Sequence, residues 1–175
     1  MRSFFPLVAT ALLLCTSTAS AQISIIGNGR AHECYNEAKS DGANTRPCDA
    51  ALARGMLAGR DLAATYVNRA VVRTNAGKME GALKDLDRAE SLRPEFGEIY
   101  ASRGNVFFYQ SSYEEALAEH DRGIAAGMKK LYAAHYNRGL ALEQLGRIEE
   151  AKDAYRQSIA IAPEFDPAKA RLSVL

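Results

Sequence analysis

The sequence predicts an all-α solenoid, an array of helical hairpins stacked side by side. Three observations predict it. The chain aligns with itself at an offset of 34 residues, the length of two short helices and their turns. Each aligned unit carries apolar residues at helical spacing, interrupted once by a turn signal. An arginine recurs on the first helix of successive units, matched by an aspartate on the second helix of the unit before.

The N-terminus stands apart. Arg2 is followed by FFPLVATALLLC and then TSTASA. A positive start, a short apolar core and small residues at Ala19 and Ala21 make residues 1–21 a secretory signal peptide, cleaved after Ala21. Left uncleaved, it would serve as an N-terminal anchor, although the apolar run is short for a bilayer span. Leu14 stands before Cys15, where a lipidated cysteine takes a small residue, so lipidation is rejected. Residues 22–30 read as a flexible segment.

After cleavage the chain has a formal charge near zero and two cysteines, Cys34 and Cys48. In an oxidising compartment an even count points to a disulfide, the alternative being two buried thiols. GRAHECYNEAKSDG reads as a helix ending at a glycine, and TRPCDAALARG as a second helix. Residues 31–62 therefore form a degenerate hairpin with one cysteine on each helix. A bridge there would contribute about 3 kcal/mol. It would offset the stacking energy that a terminal unit lacks.

Three clear units follow at 63–96, 97–130 and 132–165. Tyr66, Arg69, Ala82 and Asp87 align with Tyr100, Arg103, Ala116 and Asp121. The third unit, displaced by one further residue, supplies Arg138, Gly139, Gly146, Ala151, Tyr155 and Pro163. Ala70, Gly104 and Gly139 are the small residues that let a neighbouring helix approach. Gly77 and Gly146 end first helices as left-handed caps, and Pro94 and Pro163 end second helices. The middle unit has Ser111-Ser112 in place of the glycine and Met128 in place of the proline. Ser112 with Glu115 reads as a capping box. Over 166–175, Asp166 reads as an N-cap and Pro167 as the first residue of a short capping helix. These positions resemble the tetratricopeptide repeat (TPR) family. The resemblance implies a right-handed TPR solenoid whose first helices line a concave groove.

An arginine on an apolar helical face is costly to bury without a partner. Partners with the same periodicity exist. Asp49 precedes Arg69, Asp87 precedes Arg103, and Asp121 precedes Arg138. In stacked hairpins each such pair of helices is in contact. At the end of the array, where no arginine follows, the equivalent position is Arg156. At the start, Cys34 or Tyr35 takes the arginine's place. Three inter-repeat ion pairs follow, each setting register and each costing about 3 kcal/mol to break where buried. The alternative, arginines lining the groove to bind carboxylates, leaves the matched acids unexplained.

The resemblance also implies groove positions. They are Ala64, Val67, Asn68, Val71 and Asn75 in the first clear unit. The second gives Glu98, Ala101, Ser102, Asn105, Phe108 and Tyr109. The third gives Ala133, Tyr136, Asn137, Leu140, Glu143 and Gln144. Of these, Asn68, Asn75, Asn105, Phe108, Tyr109, Tyr136, Asn137 and Gln144 are the candidate partner-binding residues. Asparagine both donates to and accepts from a peptide backbone, and aromatics add contact area at low entropy cost. The alternative is an ordinary solvated polar surface. Some TPR proteins clamp a C-terminal carboxylate, and Asn105 and Asn137 resemble part of that set. Ala101, Glu98 and Ser102 stand where its cations would be, which argues against a clamp.

Catalytic signals are weak. His32, His120 and His135 lack metal-ligand spacing, and His120 occupies a position held by Leu86 and Tyr155 in the sister units, as a core residue would. No nucleophile elbow, phosphate loop or dinucleotide fingerprint occurs. Glu114-Glu115 and Glu149-Glu150 open helices, where negative charge suits the dipole. A formal charge of +1 with 25% charged residues argues against nucleic acid and anionic membrane. The expectation is a scaffold without catalysis, cofactor or metal. It would be exported to the periplasm of a Gram-negative bacterium and hold a peptide or helix of another envelope protein. Self-association through an exposed terminal helix and a peptidoglycan-associated accessory role are the alternatives.

Overall fold

The computed structural model describes residues 30–175, so the signal peptide, Cys15 and the segment before Arg30 lie outside the described residues. Among these residues the elements are α1 (Arg30–Lys39), α2 (Arg46–Ala53), α3 (Gly59–Asn75), α4 (Met79–Leu92), α5 (Gly97–Tyr109), α6 (Tyr113–Ala125), α7 (Leu131–Gln144), α8 (Ile148–Ile161) and α9 (Asp166–Val174). Consecutive helices pair as hairpins α1/α2, α3/α4, α5/α6 and α7/α8. The second helix of each hairpin also packs on the first helix of the next, and α9 closes the series against α8. The first helices α1, α3, α5 and α7 touch in sequence and form one layer.

The turns inside the hairpins share one chemistry. Gly77 and Gly146 both take φ of 72°, the left-handed conformation that glycine adopts without strain. Ser111 fills that place in the middle unit at φ 61°. It closes the helix end with paired bonds, from the Ser112 amide to the Phe107 carbonyl at 2.9 Å and from the Ser111 amide to that of Phe108 at 3.0 Å. The capping box is not formed. Ser112 flanks α6 but makes no side-chain cap bond, its backbone being committed to closing α5.

The hairpins lock by matched volumes. A methyl on Gly104 would lie 2.7 Å from the His120 ring, and one on Gly139 2.5 Å from the Tyr155 ring. Where the first helix carries Ala70 instead, the facing residue is the narrower Leu86, in the same core cluster. This pairing of small with large gives each hairpin its close helix approach.

Three boundaries differ from expectation. α3 begins at Gly59 and not near 63, because Gly55 and Gly59, at φ 63° and 52°, turn the link from α2 within a few residues. The N-terminal hairpin therefore ends with α2, short of residue 62. At the other end Phe165, not Asp166, flanks α9, and Asp166 is its first helical residue, bonded to Lys169 at 3.2 Å. The Cys34–Cys48 disulfide joins α1 to α2. With Ala38 it forms a buried cluster on Val72 of α3, which seats the hairpin on the array.

Candidate functional site

The arginines on the first helices come first, because a free cation in the groove would define its ligand. None of the three is free. Arg69 donates from Nη1 to Asp49 at 2.8 Å, Arg103 from Nη2 to Asp87 at 3.0 Å, and Arg138 from Nε to Asp121 at 2.6 Å. Those aspartates lie on the preceding second helices, so the bonds span adjacent repeats. All three are well exposed, however, and less exposed carboxylates also engage Arg69 and Arg103: Asp85 from the same repeat as Arg69, and Glu90 of the preceding repeat with Glu119 of its own for Arg103. Arg69 grips the fully buried Asp85 with two bonds, at 2.8 and 2.7 Å, and Arg73 adds a third at 2.6 Å. Arg103 meets Glu90 at 2.7 Å and Glu119 at 3.4 Å. Burial works against the Arg69 charge, yet the bonds and attraction of Asp85 and then Asp49 outweigh it and raise its pKa.

Asp85 and Glu119 occupy equivalent places, and the third unit has Ala154 there, so among the described residues Arg138 has its close ion pair with Asp121. The expected cost of breaking a pair thus moves from the inter-repeat aspartates to the buried acids. The 34-residue alignment already held Asp85 opposite Glu119 and could have found them. Arg156, the residue in place of the missing acid, pairs with Asp153 on its own helix at 2.6 Å.

The candidate groove residues separate into three groups. Asn105, Phe108, Tyr109 and Gln144 lie half-buried or exposed on the layer of first helices, with Tyr109 47% exposed. Phe108 meets Tyr113 edge-on at 5.4 Å. Asn68 and Asn137 are buried at the base of that face, and Asn137 donates to Asn105 at 2.9 Å, linking α7 to α5. Tyr136 and Asn75 depart from expectation. Tyr136 is buried in the seam between α7, α8 and the link to α9, 5.8 Å from Tyr155 and 5.2 Å from Phe165. Its apolar ring fills the space that the capping helix encloses. Asn75 donates to the Gly42 carbonyl at 3.2 Å and pins the loop of the N-terminal hairpin. Val67 likewise belongs to the core.

Two acids on this face have structural partners. Glu143 receives the Tyr155 hydroxyl at 2.6 Å and the guanidinium of Arg171, which ties α9 to α7. Burial first, then Glu143, raises the Tyr155 pKa. Glu98 accepts from the Lys129 amide at 3.4 Å, beside the turn where Gly97 meets Gly123 and Met128.

The histidines form no site. His120 is fully buried, neither ring nitrogen has a partner, and burial lowers its pKa to about 4. His135 is lowered by burial and by Arg138. Among the described residues no group of three His, Cys, Asp or Glu is placed to hold a metal, and no helix is long and apolar enough to cross a membrane.

Residues 132–165 match the tetratricopeptide repeat family model. The fold is also that of the structure of MamA, with a TM-score of 0.65 at 21% identity, over 85% of this chain and 84% of that one. The described residues form a tetratricopeptide repeat solenoid. The first TPR domain of Spaghetti (RPAP3), solved bound to the HSP90 peptide SRMEEVD, shares the TPR fold with a TM-score of 0.62 at 19% identity, over 68% of this chain and 94% of that one. Curated relatives are similar over shorter stretches. The Hsp70-Hsp90 organizing protein of Triticum aestivum is 36% identical over 62 residues, 35% of this chain. The TPR repeat-containing thioredoxin TTL4 of Arabidopsis thaliana is 30% identical over 115 residues, 64% of the chain. This chain spans only 11% and 15% of the lengths of those two proteins.

Proposed function

We propose that this protein is a non-catalytic scaffold that holds a peptide or helix of another protein against the face formed by α3, α5 and α7. The observation that carries the reading is the contrast between the two polar sets on those helices. The arginines are consumed by ion pairs, whereas Asn105, Tyr109 and Gln144 stay accessible around the Asn105–Asn137 bond. Side chains that donate and accept, set beside aromatic area, suit a polypeptide main chain and poorly suit bond-making chemistry. A structural neighbour bound to a peptide supports the same reading.

We further propose that the protein works outside the cytoplasm, in the bacterial cell envelope. The signal-like residues 1–21 and the buried Cys34–Cys48 bridge support this reading, since such bridges persist in oxidising compartments. Affinity capture from envelope extract tests both parts. A defined protein should be retained by the native chain and lost with Tyr109→Ala/Gln144→Ala, a change on exposed side chains that leaves the fold intact. Retention on purified peptidoglycan, with no protein partner, would overturn the scaffold reading.

A further inference from the structure

We infer that the groove takes an internal, neutral-to-basic segment of a partner, and rejects an acidic chain end. This inference rests on the groove reading above and adds the chemistry of the occupant.

The charge on the groove face carries it. Residues 98, 101, 102, 105 and 109 share one face of α5 by helical spacing, as do 64, 67, 68, 71 and 75 on α3 and 133, 136, 137, 140 and 144 on α7. No lysine or arginine occupies any of these positions. The arginines beside them are each held by a carboxylate: Arg69 and Arg73 by Asp85, Arg103 by Glu90 and Asp87, Arg138 by Asp121, and Arg171 by Glu143. What the face does carry is Glu98, a carboxylate 4% exposed. Its field reaches the groove through low-dielectric surroundings rather than through water. An acidic segment meets repulsion there without a compensating cation, and a lysine or arginine meets attraction.

A second, independent feature points to an occupant with carbonyl groups. The Asn68 amide nitrogen and the Ser102 hydroxyl take equivalent places on α3 and α5, are 2% and 4% exposed, and have no hydrogen-bond partner. Buried donors without partners are rare and costly. Main-chain carbonyls of an extended segment laid across the two helices would satisfy both. The same register in α7 holds Asn137, bonded to Asn105.

Fluorescence anisotropy of the oxidised chain with short peptide pools tests this. The pools are randomised over Ala, Leu, Asn, Ser, Thr and Tyr. One has blocked ends and a central Lys. The other has a central Glu and a free C-terminal carboxylate. The lysine pool should bind about tenfold more tightly, the size of one favourable charge contact. Glu98→Gln should bring the two pools within about twofold, and Glu98→Lys should invert the order. Asn68→Ala/Ser102→Ala should weaken both pools with little change in unfolding, because neither the Asn68 amide nitrogen nor the Ser102 hydroxyl has a hydrogen bond to lose. Tighter binding of the acidic pool would overturn the charge inference and leave the groove reading standing. Binding of neither pool would overturn both. Concentration-dependent dimers broken by Tyr109→Arg would make a second copy the occupant and also overturn the inference.

Discussion

Replacing Asp85 with alanine should destabilise the array more than replacing any of the three inter-repeat aspartates. Asp85 is 0% exposed and accepts bonds of 2.8 and 2.7 Å from Arg69 and 2.6 Å from Arg73. Removing it strands a nearly buried guanidinium with only Asp49, whose side chain is 48% exposed. Breaking a buried pair from one side costs about 3–5 kcal/mol. Asp49→Ala, at a solvated position, should cost less than about 1 kcal/mol. Urea unfolding followed by far-UV circular dichroism gives both numbers, provided the slope is unchanged. A further control removes both charges. Arg69→Met/Asp85→Leu should recover most of the loss, since the cost arises from the orphaned charge and not from the absent attraction. Equal losses for Asp85→Ala and Asp49→Ala would refute the assignment of the buried acid as the principal partner.

Further outcomes follow from single sites. His120 has a folded pKa depressed to about 4, so its unfolded state takes up the proton first; stability should fall as pH drops from about 6.5 towards 4, by about 3 kcal/mol in all, and His120→Leu should flatten that limb of a pH–stability curve. Ser111→Gly should add about 1 kcal/mol by relieving a left-handed residue at φ 61°, read as a rise in the urea midpoint. Cys34→Ser/Cys48→Ser should cost about 3 kcal/mol, and native hydrogen exchange should show that loss concentrated in α1 and α2. Gly97→Val should cost about 1–3 kcal/mol in a thermal melt, because its Cβ would sit 3.0 Å from the Gly123 carbonyl and the Met128 backbone.

The repeat period was legible because each hairpin solves the same packing problem and reuses the same residues to solve it. Ala70, Gly104 and Gly139 could be read as close-approach positions before their partners Leu86, His120 and Tyr155 were seen against them. The arginine–aspartate spacing was legible for the same reason, and all three pairs are within bonding distance. What a period cannot carry is burial. Asp49 and Asp85 look alike in sequence, and only packing distinguishes a solvated rim acid from one enclosed by α3 and α4. Tyr136 was misjudged because its ring was read as contact area for a partner, although its sister positions, Val67 and Ala101, are fully buried; Phe165, in the link to α9, packs on that ring. Asn75 looked like a ligand-facing amide because the loop it holds, around Gly42, belongs to the degenerate hairpin, where alignment is weakest.

Site-specific photo-crosslinking in cells tests the groove assignment most directly. A photoreactive residue placed at Tyr109 or Gln144, on the first-helix face, should yield one dominant adduct with another protein. The same residue at Glu149 or Asp153, exposed on α8, should yield none. Adducts from α8 with silence from Tyr109 and Gln144 would place the partner on the opposite face and contradict the groove.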